Sequence, residues 1–97
     1  MHKVNDAEVT RLLAAIGDPA RLQVLLLLRH RGRMNVTGIA ANFELSRPTV
    51  SHHLRVLKDA EIVRSEKIGQ EVFYTARCDQ LVSMLRDLLH AIEPPNS

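Results

Sequence analysis

Cys78 is the single cysteine among 97 residues, so no internal disulfide can form and cysteine usage does not point to an oxidising compartment. No apolar run is long enough to cross a bilayer, and no basic, apolar and small-residue leader opens the chain, which makes a cytoplasmic protein without membrane association the expectation. Internal repeats and low-complexity tracts are missing too. No nucleophile and base pair, phosphate loop or complete metal set can be assembled from these residues, so neither an enzyme nor a cofactor is expected. What remains is an ordinary globular composition, 45% hydrophobic and 25% charged. The length suits one domain over residues 1–97, with a core small enough to gain from a second subunit.

The formal net charge is only +2, but it is unevenly placed. Residues 21–67 hold nine Lys or Arg against four acids, a local +5, which leaves −3 on the two ends. A basic middle between acidic ends suits a polyanionic partner, and a dimer would double it.

Within that middle, residues 37–57 read T-G-I-A-A-N-F-E-L-S-R-P-T-V-S-H-H-L-R-V-L. Ile39, Ala40 and Phe43 form one apolar face of a first short helix, and Ala40 and Ala41 are small enough to let another helix cross closely. Leu45 plugs the corner. Ser46 stands where an N-cap belongs and Pro48 follows in the first turn, where its missing N–H costs little. On a wheel of ~100° per residue, Val50, Leu54 and Leu57 make a narrow inner stripe while Pro48, His52 and Arg55 point away. Thr49 and Ser51 flank that outer face and Arg47 leads it. Hydroxyls, an imidazole and guanidinium groups are the chemistry of base edges and phosphates. This is a helix-turn-helix with a recognition helix.

The flanking elements follow from the same signals. Asp6 can cap a first helix with apolar Val9, Leu12, Leu13 and Ile16, ended by Gly17. Asp18 and Pro19 open a second, apolar nearly all round through residues 24–28 and closed by the basic residues 29–33, with a brief extended link over 34–36. After the recognition helix, residues 62–67 and 71–75 read as two strands joined around Gly69, with their apolar content near the base and Arg64, Lys67 and Gln70 free to reach a nucleic-acid backbone. Asp79 can cap a last helix that Pro94 and Pro95 stop beyond Ile92. Its stripe of Leu81, Val82, Leu85, Leu88, Leu89 and Ile92, with Met84 at the edge, either folds back on the chain's own core or meets its copy in a two-fold interface. The second arrangement, with Val9, Leu12 and Ile16 joining Leu81, Leu85, Leu88 and Ile92 in the dimer seam, is the expectation. The fold class is mainly α (α+β), a winged helix-turn-helix of about five helices with a two-stranded β-hairpin wing.

Three segments together resemble the ArsR/SmtB family of prokaryotic winged helix-turn-helix repressors: I-G-D-P-A-R-L-Q-V-L-L-L-L at 16–28, S-R-P-T-V-S-H-H-L-R-V-L-K-D-A-E-I-V at 46–63, and K-I-G-Q-E-V-F-Y at 67–74. The resemblance implies a homodimer that binds a double-stranded, inverted-repeat operator and lets go when an inducer reaches it. Its DNA-binding positions fall here on Ser46, Arg47, Thr49, Ser51 and His52, with Arg55 as a phosphate contact and Lys67 and Gln70 in the wing. Glu44 departs from the pattern, standing where the family commonly has Gly. If that turn needs left-handed angles, a side chain costs ~1 kcal/mol there unless the turn relaxes.

The inducer is less legible. Where many relatives carry a C-x-C pair this chain has Asn35 and Thr37, which offer no thiolate. Of the four-ligand set other relatives place between paired last helices, His90 and Glu93 keep the i, i+3 spacing and Asp79 is present, but Arg77 cannot ligate. No metal is expected, and a partial site of Asp79 with His90 and Glu93 from the second subunit stands as the alternative to ordinary helix-end polarity. Cys78 reads either as a thiol sensor or as a small buried hydrophobe. His53 borders the core stripe. A second function class, a winged helix that docks on proteins without reading DNA, would leave the basic charge incidental.

Overall fold

Asp18 begins the central helix as its chemistry requires: its carboxylate accepts the backbone N–H of Arg21 at 3.0 Å, and Pro19 sits in the first turn. In this computed structural model, which describes residues 6–95, the elements run α1 (Asp6–Ile16), α2 (Pro19–Arg31), β1 (Met34–Asn35), α3 (Val36–Phe43), α4 (Arg47–Asp59), β2 (Val63–Ile68), β3 (Glu71–Ala76) and α5 (Cys78–Ile92). Helix α2 ends at Gly32, whose φ of 82° suits a residue without Cβ. It buries Val24, Leu25 and Leu28 but leaves Leu26 exposed, so it is central without being enclosed all round.

The inner stripe of α4 behaves as its spacing dictates. Val50, Leu54 and Leu57 have no exposed surface and pack with Leu12, Leu25, Leu28, Ile39 and Ile62 in one core. Helix α1 lies across α2 and α4. That placement turns Leu12 and Ala15 fully inward, so Leu12, assigned from sequence to the subunit seam, belongs to the protomer's own core. Val9 and Ile16 are half-buried, and it is Leu13 that faces outward.

The wing is a three-stranded antiparallel sheet, ordered β1-β3-β2, where two strands were expected. The hairpin pairs Val63 with Ala76 through Ile68 with Glu71, while Met34 and Asn35 pair with Tyr74 and Phe73. The link before α3 is extended anyway, and pairing it satisfies backbone groups that the free edge of β3 would otherwise present. Gly69 and Gln70 make a two-residue loop, with Gly69 at φ 62° where a hairpin turn favours glycine. Val72, expected near the base of the hairpin, lies exposed close to this tip, opposite Lys67.

Two helix ends share a device. Glu44 after α3 and Glu61 after α4 have φ of 53° and 64°. Leu45 N–H donates to the Ala40 carbonyl at 3.3 Å; Ile62 N–H donates to Leu57 at 3.2 Å and Glu61 N–H to Lys58 at 2.9 Å. These are Schellman-type ends that drive the following apolar residue, Leu45 or Ile62, back toward the core. The turn at Glu44 therefore keeps its left-handed geometry and does not relax.

Helix α5 starts two residues earlier than its sequence suggests. Arg77 occupies the N-cap position without a side-chain cap bond, its own N–H held by the Ile62 carbonyl at 2.8 Å. Asp79 is thus not the cap; it lies in the first turn, where its charge still complements the helix dipole. Met84, placed at the edge of the stripe by sequence, is the buried residue of α5, with Leu81 packed partly against the core. Val82, Leu85, Leu89 and Ile92 remain 39–69% exposed. The molecule measures 51 × 25 × 23 Å, and none of its helices is long and apolar enough to cross a membrane among the described residues.

Candidate nucleic-acid interface

Everything that points outward from α4 does so because its opposite face is locked in the core. Ser46 caps the helix: its hydroxyl oxygen accepts Thr49 N–H at 3.3 Å and its own proton goes to Thr49 Oγ1 at 2.8 Å. This reciprocal bond fixes both hydroxyls at the leading end. Arg47, Pro48, Thr49, His52 and Arg55 are all exposed. They make a polar ridge led by a guanidinium. Ser51, also assigned to this surface from sequence, is half-buried at its margin.

The wing shares a cleft with the leading residue of α4. Arg47 and Gln70 line one open cleft of about 300 Å3 with Asn35, Val36, Thr37, Glu71, Val72 and Tyr74. Lys67 and Gln70 are exposed toward the hairpin tip. Arg33 is committed elsewhere, its guanidinium 5.5 Å from the Phe73 ring centroid and 3.9 Å from the Glu66 carboxylate. The residues assigned from sequence to DNA thus fall into a helix group and a wing group with a cleft between them.

On the inner side of α4 lies a buried imidazole, His53, which the sequence places only at the border of the core stripe. His53 is 7% exposed and its Nδ1 has no hydrogen-bond partner; Arg21 Nε is likewise buried without one. Loss of solvent pushes the His53 pKa below the usual imidazole value, against the opposing pull of the Asp18 carboxylate. Asp18 itself is held below the ordinary carboxylate range, first by the Arg21 backbone N–H. The neutral ring helps seat α4 on α2, whose N-terminal turn carries Asp18 and Arg21. The adjacent His52 ring is 6.0 Å away on the exposed side.

The sequence places Asn35 in the extended link before α3 and shows that it offers no thiolate. Its side chain caps α3 through Gly38 N–H at 2.9 Å and donates to Glu71 Oε1 at 2.9 Å. An Asn three residues before a helical glycine was the available cue, one the T-G-I-A reading passed over by starting the helix later. No three His, Cys, Asp or Glu side chains cluster as metal ligands among the described residues. Asp79 and His90 lie in the first and last turns of α5, about 16 Å apart along its axis at ~1.5 Å per residue, too far to share an ion within one protomer. Cys78 is a free, half-buried thiol at the start of that helix.

Comparison with known proteins fits this architecture. The family model for bacterial regulatory proteins of the arsR family matches residues 18–65, from the cap of α2 into β2. The transcriptional repressor SdpR of Bacillus subtilis (strain 168) is 34% identical over 84 residues, covering 87% of this chain and 92% of that protein. The transcriptional activator HlyU of Vibrio cholerae is 33% identical over 88 residues, 91% of this chain and 80% of its own. An ArsR-like transcriptional regulator from Rhodococcus sp. RHA1 superposes with a TM-score of 0.79 at 30% identity, covering 89% of this chain and 79% of that one. With a winged helix-turn-helix fold and relatives matched over most of its length, the chain belongs to the ArsR family of bacterial regulatory proteins.

Proposed function

We propose that the protein is a sequence-specific, DNA-binding transcriptional regulator: a single-domain subunit of a homodimeric repressor that holds an inverted-repeat operator and leaves it when an inducer binds. The observation that carries this reading is the outward ridge of α4, capped by Ser46 and led by Arg47, which shares a cleft with Gln70 of a wing that also exposes Lys67. Two such helices enter successive major grooves ~34 Å apart, with the wings on the backbone. The function is binding, with no catalytic step, and its place is the cytoplasm, where the DNA is. Support for the dimer comes from the exposed apolar stripe of α5, which water disfavours and a copy of itself would cover. The sign of regulation follows the relatives named as repressors, such as SdpR.

Titration of duplexes tiling the DNA upstream of its own gene, at two salt concentrations, tests the reading. With Arg47, Arg55 and Lys67 on phosphates in each of two subunits, about six counterions are released and log K falls against log salt with a slope of about −5. No shift, or a flat salt dependence, refutes direct DNA readout and leaves a winged helix that docks on proteins. A promoter reporter that rises when the protein is expressed would place it with HlyU as an activator.

A further inference from the structure

We propose that the Asn35 to Glu71 hydrogen bond is a clamp that sets the wing against the recognition helix, which makes this amide and this carboxylate positioning residues for DNA binding. The inference rests on the DNA-binding reading above. Glu71 is an exposed acid that lines the same cleft as Arg47 and Gln70, on a face proposed for a polyanion. Charge alone makes it a liability there.

Its bonding gives it a use. Asn35 is held three ways: its backbone pairs with Phe73, its Oδ1 accepts Gly38 N–H at 2.9 Å, and its Nδ2 donates to Glu71 Oε1 at 2.9 Å. Gly38 leaves room for this, since a Cβ there would stand 3.2 Å from Asn35 Oδ1. One amide therefore joins the N-terminus of α3 to Glu71, the residue that follows the Gly69 and Gln70 loop. Because Asn35 is already ordered by the cap and the strand pair, little further conformational freedom is lost in holding Glu71. The start of β3 is then fixed relative to α3, and with it Gln70, which lines the cleft with Arg47.

Opposite signs make the clamp testable. A surface acid with no other role would repel DNA, so Glu71→Gln and Glu71→Ala would both tighten binding equally. A clamp separates them: Glu71→Gln keeps an acceptor for Asn35 and loses the repulsion, binding a few-fold tighter than wild type, whereas Glu71→Ala binds about 5-fold weaker than Glu71→Gln and no tighter than wild type. Asn35→Asp keeps a cap for α3 but sets carboxylate against carboxylate. It weakens binding about 10-fold, and adding Glu71→Gln restores most of the loss. Hydrogen exchange without DNA gives a second readout, with wing amides in 71–74 exchanging faster in Glu71→Ala than in Glu71→Gln. A wild-type protein that binds no duplex overturns the parent reading. A wild type that binds, with Glu71→Ala at or above the affinity of Glu71→Gln, overturns the clamp alone.

Discussion

Leu85→Asp is the sharpest test of the dimer. Val82, Leu85, Leu89 and Ile92 fall within about 80° of one another at ~100° per residue, and each keeps 39–69% of its surface in the protomer. Full burial of such a side chain is worth roughly 1.5–3 kcal/mol, so completing the burial of Leu85, which has 39% left, contributes about 1 kcal/mol per subunit. Replacing it with a carboxylate removes that and adds the cost of an unpaired charge in an apolar seam, still several kcal/mol after relaxation. Two-fold symmetry counts each loss twice. The sum exceeds about 5 kcal/mol per dimer, a rise of more than ~1,000-fold in the dimer dissociation constant. The protomer itself should keep its fold, because the buried residue of α5 is Met84 and not Leu85. Sedimentation velocity at micromolar concentration, with circular dichroism as the folding control, should find a helical monomer that no longer binds an inverted repeat tightly. A helical Leu85→Asp dimer under those conditions refutes the seam, and a monomeric wild type refutes the dimer.

Three further perturbations address other parts of the molecule. Arg47→Ala removes one cation per subunit from the leading end of α4, so the salt slope of DNA binding should flatten by about 2 per dimer while the melting temperature stays put; an unchanged slope removes Arg47 from the phosphate contacts. Glu44→Gly should raise stability by about 0.5–1 kcal/mol, because the left-handed cost of ~1–2 kcal/mol is relieved and glycine's extra unfolded-state entropy returns part of it. A melting temperature a few degrees higher is the expected readout, and a lower one contradicts the strain at φ 53°. For His53 the folded pKa lies below the unfolded value near 6.5, so the unfolded chain takes up the proton first and stability is lost as pH falls below about 6.5 toward the folded pKa. Comparing denaturant midpoints at neutral and mildly acidic pH, His53→Gln should lose less stability on acidification than wild type; equal losses would show that this ring does not set the response.

Legibility in the sequence tracked the range of the interaction. Caps and periodicity are local, so Ser46, Pro48 and the Val50, Leu54, Leu57 stripe announced α4 and its outward face before any tertiary contact was known. Leu12 was misassigned because a wheel shows which residues share a face and not what that face meets; α1 crosses α2 and α4, and the inward side of that crossing claimed it. The third strand was hidden for a similar reason. Two residues, Met34 and Asn35, carry no alternation to detect, and their pairing depends on β3 arriving from far along the chain. Glu61 was invisible as a left-handed residue because no glycine marks it, whereas Glu44 was noticed through the family's usual glycine. The contact between Asn35 and Glu71 joins residues 36 positions apart and leaves no trace in spacing.

The division between fixed and unfixed parts constrains where an inducing signal can act. Helix α4 is held by an inner stripe with no exposed surface, by a neutral His53 over the start of α2, and by left-handed ends on both sides of the recognition unit. A core packed in this way has few alternative arrangements of similar energy, so deforming the reading head itself is costly. The exposed stripe of α5 and the exposed side-chain bond from Asn35 to Glu71 are far less constrained. In the proposed dimer, moving whole subunits about α5 would change the separation of two intact recognition helices, and releasing the proposed clamp would change the height of the wing, each without unpacking the core. An inducer that frees the operator by either route should leave the hydrogen-exchange protection of residues 50–57 unchanged; loss of protection there on inducer binding would show that the recognition helix itself is remodelled.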